Sequence, residues 1–262
     1  MALRRRVEIL LSLLAVSIIF ALLADPIPQD VHYHHFADFQ NYLGVPFCGN
    51  VFSNLPFLLI GTWGLLFTIN NRDNREVFHD SREWINWAVA FFGIALVGPG
   101  SAYYHLAPDN ATLLWDRLPI GIGFMGLYAA VISERVDTDL GLKLLPWLVA
   151  LGIGTVLYWH FTEQAGSGDL RPYAVVQFFP LLTIPIMLHW FPGQYGHAHC
   201  LWKLILWYGF AKVLEHFDAG VYTLTGNLVS GHTLKHLAAA VGCYHLINYL
   251  SKRLTFSPQQ RI

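Results

Sequence analysis

Long apolar runs separated by short polar connections divide almost the whole chain. Each run is about 17 to 25 residues long, the length that an α-helix needs to cross the hydrocarbon core of a membrane. The runs predict eight such helices, at 8–24, 53–70, 84–106, 112–132, 143–161, 173–191, 200–217 and 232–250. Strands are not expected, because the runs are continuous rather than alternating and an open sheet cannot satisfy its backbone hydrogen bonds in lipid.

The predicted fold is therefore an all-α integral membrane protein, in which a seven-helix transmembrane bundle is preceded by one extra N-terminal span or signal sequence. The predicted domain limits are 1–27 for that span or signal, 28–52 for an exterior juxtamembrane segment, 53–251 for the seven-helix core and 252–262 for a cytoplasmic tail. We find no internal repeat, coiled-coil heptad or low-complexity tract in the sequence.

Lysine and arginine residues predict the orientation, because they are retained on the cytoplasmic side of a membrane. With the N-terminus inside, twelve of the 16 basic residues fall on that side: Arg4, Arg5, Arg6, Arg72, Arg75, Arg82, Arg135, Lys143, Lys203, Lys252, Arg253 and Arg261. Both termini are then cytoplasmic. The first run also has a basic start and a small residue, Ala24, before Asp25-Pro26, so it could instead be a cleaved signal peptide, which would leave seven spans and an exterior N-terminus.

The overall composition agrees with a membrane protein. Of 262 residues, 55% are hydrophobic and 13% are charged, and the charged share is about half of that in soluble domains. A net charge of −1 argues against nucleic acid as a partner, since nucleic-acid binding leaves a basic footprint. Cys48, Cys200 and Cys243 lie in different segments, so neither a disulfide framework nor a cysteine metal knuckle is predicted.

Three histidines fall at the same end of their predicted helices. With the topology above, the third run ends outward at His105 and the eighth begins there with His232 and His236. Ser101 and His105 are four residues apart, as are the other two histidines, so each pair shares a helix face. Three imidazoles and one open position are typical of catalytic zinc, whereas structural zinc sites fill all four positions with protein ligands and usually use cysteine.

Asp116, in the sequence Trp115-Asp116-Arg117, begins the fourth run at the same depth and is the candidate base, because zinc lowers the pKa of a bound water to about 7. Ser101 could hydrogen-bond to Asp116 or to a developing oxyanion. Simpler interpretations stay open: a salt bridge of Asp116 with Arg117 or Arg171, a backbone hydrogen bond of Ser101, and interhelical packing of the histidines. A turn at 107–110 precedes the fourth run, and Asp109 or Asn110 is a candidate helix cap.

At these residues the chain resembles the alkaline ceramidase family, and within it a bacterial ceramidase-like member. That family is part of a superfamily of seven-helix membrane hydrolases that includes the adiponectin and progestin receptors and the Per1-type proteins. The resemblance covers roughly residues 41–250. It depends on an ordered set of motifs, namely Asn50-Val51-Phe52-Ser53-Asn54-Leu55-Pro56, Gly100-Ser101-Ala102-Tyr103-Tyr104-His105, Asp116-Arg117-Leu118-Pro119 and His232-x-x-x-His236.

The resemblance implies a zinc ion held by His105, His232 and His236, with Asp116 and Ser101 beside the water that attacks. It implies hydrolysis of the amide bond that joins a fatty acid to a sphingoid base, so the expected partner is a ceramide-like membrane lipid, and no protein partner is indicated. It also implies an inner-membrane location in a bacterium, with the active site toward the exterior face.

The segment before the first core helix departs from the family. Eukaryotic relatives bind calcium there through an acidic, Asn-containing stretch with a Glu near the position of Phe47. Here the segment offers only Asp30, Asp38 and the histidines His32, His34 and His35 as cation ligands. Calcium binding is therefore doubtful, and a hydrated loop is the simpler interpretation.

Two other functions remain alternatives. The same bundle could be a receptor or sensor with zinc as a structural pin, or a transporter whose ionisable groups form a proton or metal path. An intact Asp116, small loops without an effector domain, and ionisable groups clustered at one face favour the enzyme. Because no soluble domain could house the chemistry, a substrate would enter from lipid or from the outer side. His216 is a further candidate for supporting the metal ligands.

Overall fold

The computed structural model describes residues 3–253, and the regular structure in this part of the chain is helical. The helices are α1 (Leu3–Leu23), a short 3-10 helix (Val31–His34), α2 (Cys48–Phe52), α3 (Leu55–Asn70), α4 (Trp84–Leu106), α5 (Asn110–Arg135), α6 (Thr138–Gln164), α7 (Arg171–Trp190), α8 (His199–His216), α9 (Asp218–Leu224) and α10 (Gly231–Lys252). Within 3–253 the only β-type pairing is an isolated bridge between Tyr42 and Val45. The prediction of an all-α fold is confirmed.

Each of the eight predicted runs corresponds to one long helix. The run at 53–70 is entered through α2, so helical structure begins at Cys48, inside the segment that the sequence predicted as juxtamembrane. The short helix α9 likewise lies in the predicted connection between the last two runs. Asp109 caps α5 by accepting a hydrogen bond from the backbone N–H of Thr112, which confirms the capping role expected for it.

Five stretches are long and apolar enough to cross a membrane, judged by length and composition: α1, Cys48–Asn70 (α2 with α3), α4, α6 and α7. Helices α5, α8 and α10 fall outside this group because charged or histidine side chains interrupt their apolar sequence. Those side chains include Asp116, Lys212 and His236, which line an internal cavity. The three less apolar helices therefore supply the acidic and basic side chains that line this cavity.

The outer surface of the bundle is strongly apolar. Large hydrophobic side chains stand exposed along several helices, among them Leu59 of α3, Trp147 and Phe161 of α6, Phe178 of α7 and Leu206 of α8. A soluble monomer rarely exposes contiguous apolar patches larger than a few hundred Å². This distribution, with polar residues inside and apolar residues outside, suits a protein that is solvated by lipid.

Close contacts between helices depend on small residues. Gly93 of α4 packs on Gly123 of α5, where an added Cβ would lie 2.3 Å from a backbone nitrogen. Gly121 of α5 meets Gly152 of α6 in the same way, with a backbone oxygen 3.0 Å from an added Cβ. Small residues at helix interfaces let backbones approach closely, which is how helices commonly associate in lipid. These contacts hold α4, α5 and α6 together as a unit.

The remaining helices close the bundle unevenly. Helix α10 packs against α8 and α3, and α3 packs against α4, while α7 packs against α5, α6 and α1. Helices α7 and α8 have no comparable interface, and a hydrogen bond of 3.0 Å from Gln177 to the hydroxyl of Tyr208 bridges them. Helix α1 has no buried residue and lies on the outside of α7. The bundle is therefore least tightly closed between α7 and α8.

A buried polar cluster, the Arg253 cluster, joins four segments at one end of the bundle. It consists of Glu83, Glu134, Tyr195, Tyr249 and Arg253. The Arg253 guanidinium pairs with Glu134, whose carboxylate also accepts a hydrogen bond of 2.7 Å from Tyr249, and Tyr195 donates to Glu83. Burial, together with the nearby Glu134, raises the pKa of Glu83 to about 7. Breaking such a buried pair is costly, because the partner keeps an uncompensated charge.

Replacing Arg253 by Met should destabilise the fold by about 3 to 5 kcal/mol, because Glu134 would stay buried without its cation. The measurement is unfolding of the detergent-solubilised protein by heat or denaturant. Adding Glu134→Gln to Arg253→Met should recover a large part of the loss. The control is Arg72→Met, because Arg72 pairs with Asp73 on the exposed surface and should contribute less than about 0.5 kcal/mol. Equal stability of the Arg253→Met and Arg72→Met proteins would contradict a stabilising role of the cluster.

Candidate metal centre

Three histidine side chains from two helices meet at the opposite end of the bundle. His105 lies in the last turn of α4, and His232 and His236 lie in the first two turns of α10. All three are buried, with at most 6% of each residue exposed. One ring nitrogen from each lies within 4.8 Å of the others. The structure therefore brings together the histidines that the sequence predicted to converge, and the group could hold a metal ion.

The spacing of the ring nitrogens suits a small ion in tetrahedral coordination. The Nε2 atoms of His105 and His232 lie 3.3 Å apart. Zinc–nitrogen bonds of about 2.0–2.1 Å at tetrahedral angles place two ligand nitrogens about 3.3–3.4 Å from each other. Within residues 3–253 the group contains no cysteine and no fourth protein ligand. Three imidazoles alone leave one coordination position open to a small molecule.

A hydrogen-bonded chain orients the ring of His236. The Ser53 hydroxyl lies 3.1 Å from the backbone carbonyl oxygen of Asn50 and 2.8 Å from Nδ1 of His236. A metal bound at Nε2 would leave the ring hydrogen on Nδ1, where the Ser53 oxygen would accept it while the Ser53 hydroxyl donates to Asn50. Such partners orient metal-binding histidines and raise their basicity. Sequence reasoning assigned no role to Ser53, although it lies in the motif at 50–56.

The other two histidines are held differently. The backbone N–H of His232 donates to Asp218 at 2.7 Å, which fixes the first turn of α10. Nδ1 of His105 is buried and has no hydrogen-bond partner among the described residues. The orientation of His105 therefore comes from aromatic packing, since its ring lies 4.8 Å from that of Tyr104 and 4.7 Å from that of Phe36, centre to centre.

A buried amide pins α2 to the start of α10. The side-chain oxygen of Asn50 accepts hydrogen bonds from the hydroxyls of Thr233, at 2.8 Å, and Ser230, at 3.4 Å. Ser230 also caps α10 by accepting from the backbone N–H of Thr233. At Gly49 an added Cβ would lie 2.8 Å from the Thr233 hydroxyl oxygen, so only glycine fits there. This contact places Ser53 beside the histidines.

Asp116 and Ser101 lie next to the histidine group. Ser101 is one turn before His105 on α4, and Asp116 is in the second turn of α5. Ser101 and Asp116 both line a cavity that reaches His236. Asp116 does not belong to the ligand group itself. Its carboxylate is therefore placed to interact with a molecule in the cavity rather than to bind the ion with the three histidines.

Among the described residues, neither of the two arginines considered as partners for Asp116 forms an ion pair with it. Arg171 forms an ion pair of 2.8 Å with Asp169. Arg117 donates to the side chain of Gln29 at 2.6 Å, and its guanidinium stacks on Trp159 at 4.2 Å. The salt-bridge interpretation of Asp116 is therefore not supported by the arrangement of these side chains.

Residues 28–47, which we call the strap, cover the histidine group from outside the bundle. The ring of Phe36 lies on His105 and, at 4.3 Å, on His232. His34 bonds to the hydroxyl of Tyr104 and to the side chain of Asn110, each at 2.9 Å. These contacts anchor the strap on α4 and α5. They shield the three imidazoles from water on that side.

The strap residues proposed as cation ligands do not form a second group. Asp30 pairs with His32 at 3.1 Å, and both side chains are more than two-thirds exposed. His34 is occupied by the contacts described above, and Asp38 is buried and accepts from the backbone of Gln40 at 2.9 Å. In residues 3–253 the histidine cluster is the one group of three or more His, Cys, Asp or Glu ligands within reach of a single ion, and it does not include His35.

A cavity of about 370 Å³ extends from the histidine group into the bundle. Most of its wall is apolar and comes from α5, α7, α8 and α10, for example Phe124, Ile184 and Leu204. Its ionisable and polar lining is formed by Tyr33, Asn54, Ser101, Asp116, Arg117, Tyr173, Gln177, Tyr208, Lys212, Glu215, Lys235 and His236. The site thus combines a polar, histidine-rich part with a long apolar chamber.

His216, the sequence candidate for supporting the ligands, does not take that role. Its side chain is exposed at the end of α8, and its ring packs on Phe217 at 4.8 Å. Asp218, two residues later, makes the supporting contact instead, because it holds the backbone N–H groups of His232 and Ala37. Asp218 lies just after the last turn of α8, where no helical periodicity in the sequence indicates a role for it.

Comparison of the chain with protein-family models and with functionally curated proteins finds no match. The function must therefore be argued from the site.

We expect the purified protein to carry about one metal ion per chain, as a site with three protein ligands binds one ion. Replacing His105, His232 or His236 by Ala should lower the metal content well below that value, and Ser53→Ala should weaken metal affinity about 10- to 100-fold. Elemental analysis after dialysis is the measurement. His189, exposed on α7, provides the control, since His189→Ala should keep the full metal content. Unchanged metal in all three histidine variants would eliminate this ligand set.

Proposed function

We propose that this chain is a zinc-dependent membrane amidase that hydrolyses the N-acyl bond of ceramide-like lipids, releasing a fatty acid and an amino alcohol or sphingoid base. The single observation that carries the proposal is the cavity. It joins a buried group of three histidines, with a carboxylate and a hydroxyl beside it, to an apolar chamber. A receptor or a transporter would not need a carboxylate held next to an open coordination position.

Zinc is favoured by the chemistry of the ligands. Three imidazoles with one open position are characteristic of catalytic zinc, and cysteine-rich sets are characteristic of structural zinc. A zinc ion at His105, His232 and His236 would polarise the amide carbonyl and acidify the attacking water. The hydrogen-bonded chain through Ser53 supports neutral His236 as a ligand.

Asp116 is the proposed general base and acid. It accepts the proton released when water adds to the amide carbonyl, and it returns that proton to the departing nitrogen as the carbon–nitrogen bond breaks. Ser101, which lines the same cavity, is the proposed hydrogen-bond partner that orients the Asp116 carboxylate. The balance is one water consumed and one carboxylic acid and one amine produced.

The apolar chamber is the proposed site of the fatty acyl chain. The strap excludes bulk water from the histidines on the outer side, so a lipid would approach through the bundle wall. The weakly closed boundary between α7 and α8 suits that route, because the two helices share no extensive interface and the hydrogen bond of Gln177 with Tyr208 lies at the level of the cavity. A long-chain amide matches both the chamber and the lateral approach.

Asp116→Asn should reduce hydrolysis by a factor on the order of 10² or more, since it removes the base and keeps the size of the side chain. Metal content and thermal stability should stay close to those of the wild type, because Asp116 is not a ligand. Fatty-acid release from a ceramide, zinc content and unfolding should be measured on one preparation. Asp73→Asn, an exposed residue, is the matched control. Zinc-loaded wild-type protein that releases no fatty acid from any N-acyl lipid would leave the receptor as the better account.

We further propose that the chain crosses the membrane eight times with both termini in the cytoplasm and the histidine group near the exterior face. The distribution of basic residues supports this orientation. In a variant lacking Cys48, Cys200 and Cys243, a cysteine at Leu228 should react with an impermeant thiol reagent in intact cells. A cysteine at Asp73 should react only after the membrane is opened. Both positions are exposed, and the reverse labelling pattern would place the histidines on the cytoplasmic side.

A further inference from the structure

Three charged side chains from two helices form an ion cluster in the wall of the cavity. The carboxylate of Glu215 accepts one hydrogen bond from Lys212, three residues earlier on α8, and one from Lys235 on α10, each at 2.6 Å. Lys235 directly precedes His236, and all three side chains line the cavity. The Glu215 and Lys235 side chains are 20% and 18% exposed, whereas the Lys212 side chain is 45% exposed. Charges held inside an apolar bundle, such as Glu215 and Lys235, are costly and are kept where they serve a ligand or a partner.

The charges at the polar part of the cavity do not balance. Among the side chains, Arg117, Lys212 and Lys235 supply three positive charges, and Asp116 and Glu215 supply two negative charges, which leaves an excess of one positive charge. A divalent ion at the histidines would add to this excess. The hydrogen-bond partners of Arg117 do not neutralise its positive charge. Arg117 is only 6% exposed. One of its amino groups donates to the neutral side chain of Gln29, and the other, Nη1, has no partner among the described residues.

The proposed hydrolysis does not explain this excess. Asp116 and the three histidines supply the proton transfer and the metal ligands, and none of these roles needs a lysine. One carboxylate, Glu215, can neutralise only one of the two ammonium groups that it holds. One of the two ammonium groups is therefore held in the cavity wall without a carboxylate of its own.

We propose that this positive charge binds an oxyanion on the amine part of the substrate, so that the preferred substrates are N-acyl lipids with an acidic headgroup, such as a carboxylate, rather than neutral ceramides. Lys212 and Lys235 contact the oxyanion, and Glu215 holds both lysines in position. Arg117 adds to the positive potential from the other wall. This inference rests on the proposed amidase function, whose substrate class it narrows.

The test compares two ligands with the same acyl chain, N-dodecanoylglycine and N-dodecanoylethanolamine, on the purified full-length protein in an uncharged detergent. We expect the acidic ligand to bind at least about tenfold more tightly, which corresponds to about 1.4 kcal/mol, and to be hydrolysed with the higher kcat/KM. Lys235→Met and Lys212→Met should remove most of this preference and leave the neutral ligand nearly unaffected. Lys143→Met, on the exposed surface of α6, should change neither.

Glu215→Gln separates ligand binding from a merely structural role. The introduced glutamine side chain keeps one oxygen that can accept from a lysine, so the lysines stay near their positions, while the competing negative charge is lost and one net positive charge is added. Binding of the acidic ligand should therefore become stronger. If the cluster only joined α8 to α10, Glu215→Gln would weaken the binding of both ligands together, and that result would overturn the proposal. Dodecanoate is the third ligand, because a released fatty acid is also an oxyanion. Lysine variants that weaken only dodecanoate, with no change in the preference between the two amides, would equally overturn it.

Failure of the amidase function gives a different result. A protein that hydrolyses neither amide, yet binds the acidic one through Lys212 and Lys235, would support the oxyanion site and contradict the amidase function. A protein that hydrolyses both amides with equal kcat/KM would support the amidase function and contradict the oxyanion site.

Discussion

Every polar group inside this bundle has to find a partner within the protein, because the surrounding surface is apolar and offers none. The fold meets this requirement by collecting its buried polar residues at two ends. At one end the Arg253 cluster ties α5 and α10 to the connections before α4 and after α7. At the other end the histidines, Asn50 and Asp218 join α2, α9 and α10. Between the two ends, glycine contacts bring helices together without polar groups.

The two ends differ in what surrounds their polar groups. Around Arg253, hydroxyl and indole donors surround the carboxylates, and four aromatic rings lie within 6 Å of the guanidinium. Around the histidines, a ring nitrogen of His105 and an amino group of Arg117 remain without partners among the described residues. Nη2 of Arg253 also has no hydrogen-bond partner among the described residues, but it lies 4.0 Å from the Glu83 carboxylate, and Arg253 is not among the residues that line the cavity described above. Incomplete pairing beside a cavity is typical of a place where a ligand completes the set.

The sequence predicted the helices and the meeting of His105, Ser101, Asp116, His232 and His236 at one end, because helical periodicity and the alternation of chain direction suffice for both. It did not predict Ser53 or Asp218 as supports of the histidines, since those contacts depend on the bend between α2 and α3 and on the short helix α9. The predicted runs at 200–217 and 232–250 contain Lys212, Glu215 and Lys235. No local spacing indicates that a lysine of α8 and a lysine of α10 share the Glu215 carboxylate. What escaped prediction is pairing between distant segments, which depends on how helices pack.

The strap has a consequence for exchange kinetics. Phe36 covers two of the imidazoles, and the strap is fastened by the bonds of Gln29, His34 and Ala37 to the bundle. An ion held beneath it could leave toward water only when several of these bonds open together, so its release would follow the opening rate of the strap rather than its affinity. A chelator at high concentration would then act at a rate independent of its concentration. Brief chelation would leave the ion in place, and the time course of its loss would measure how often the strap lifts.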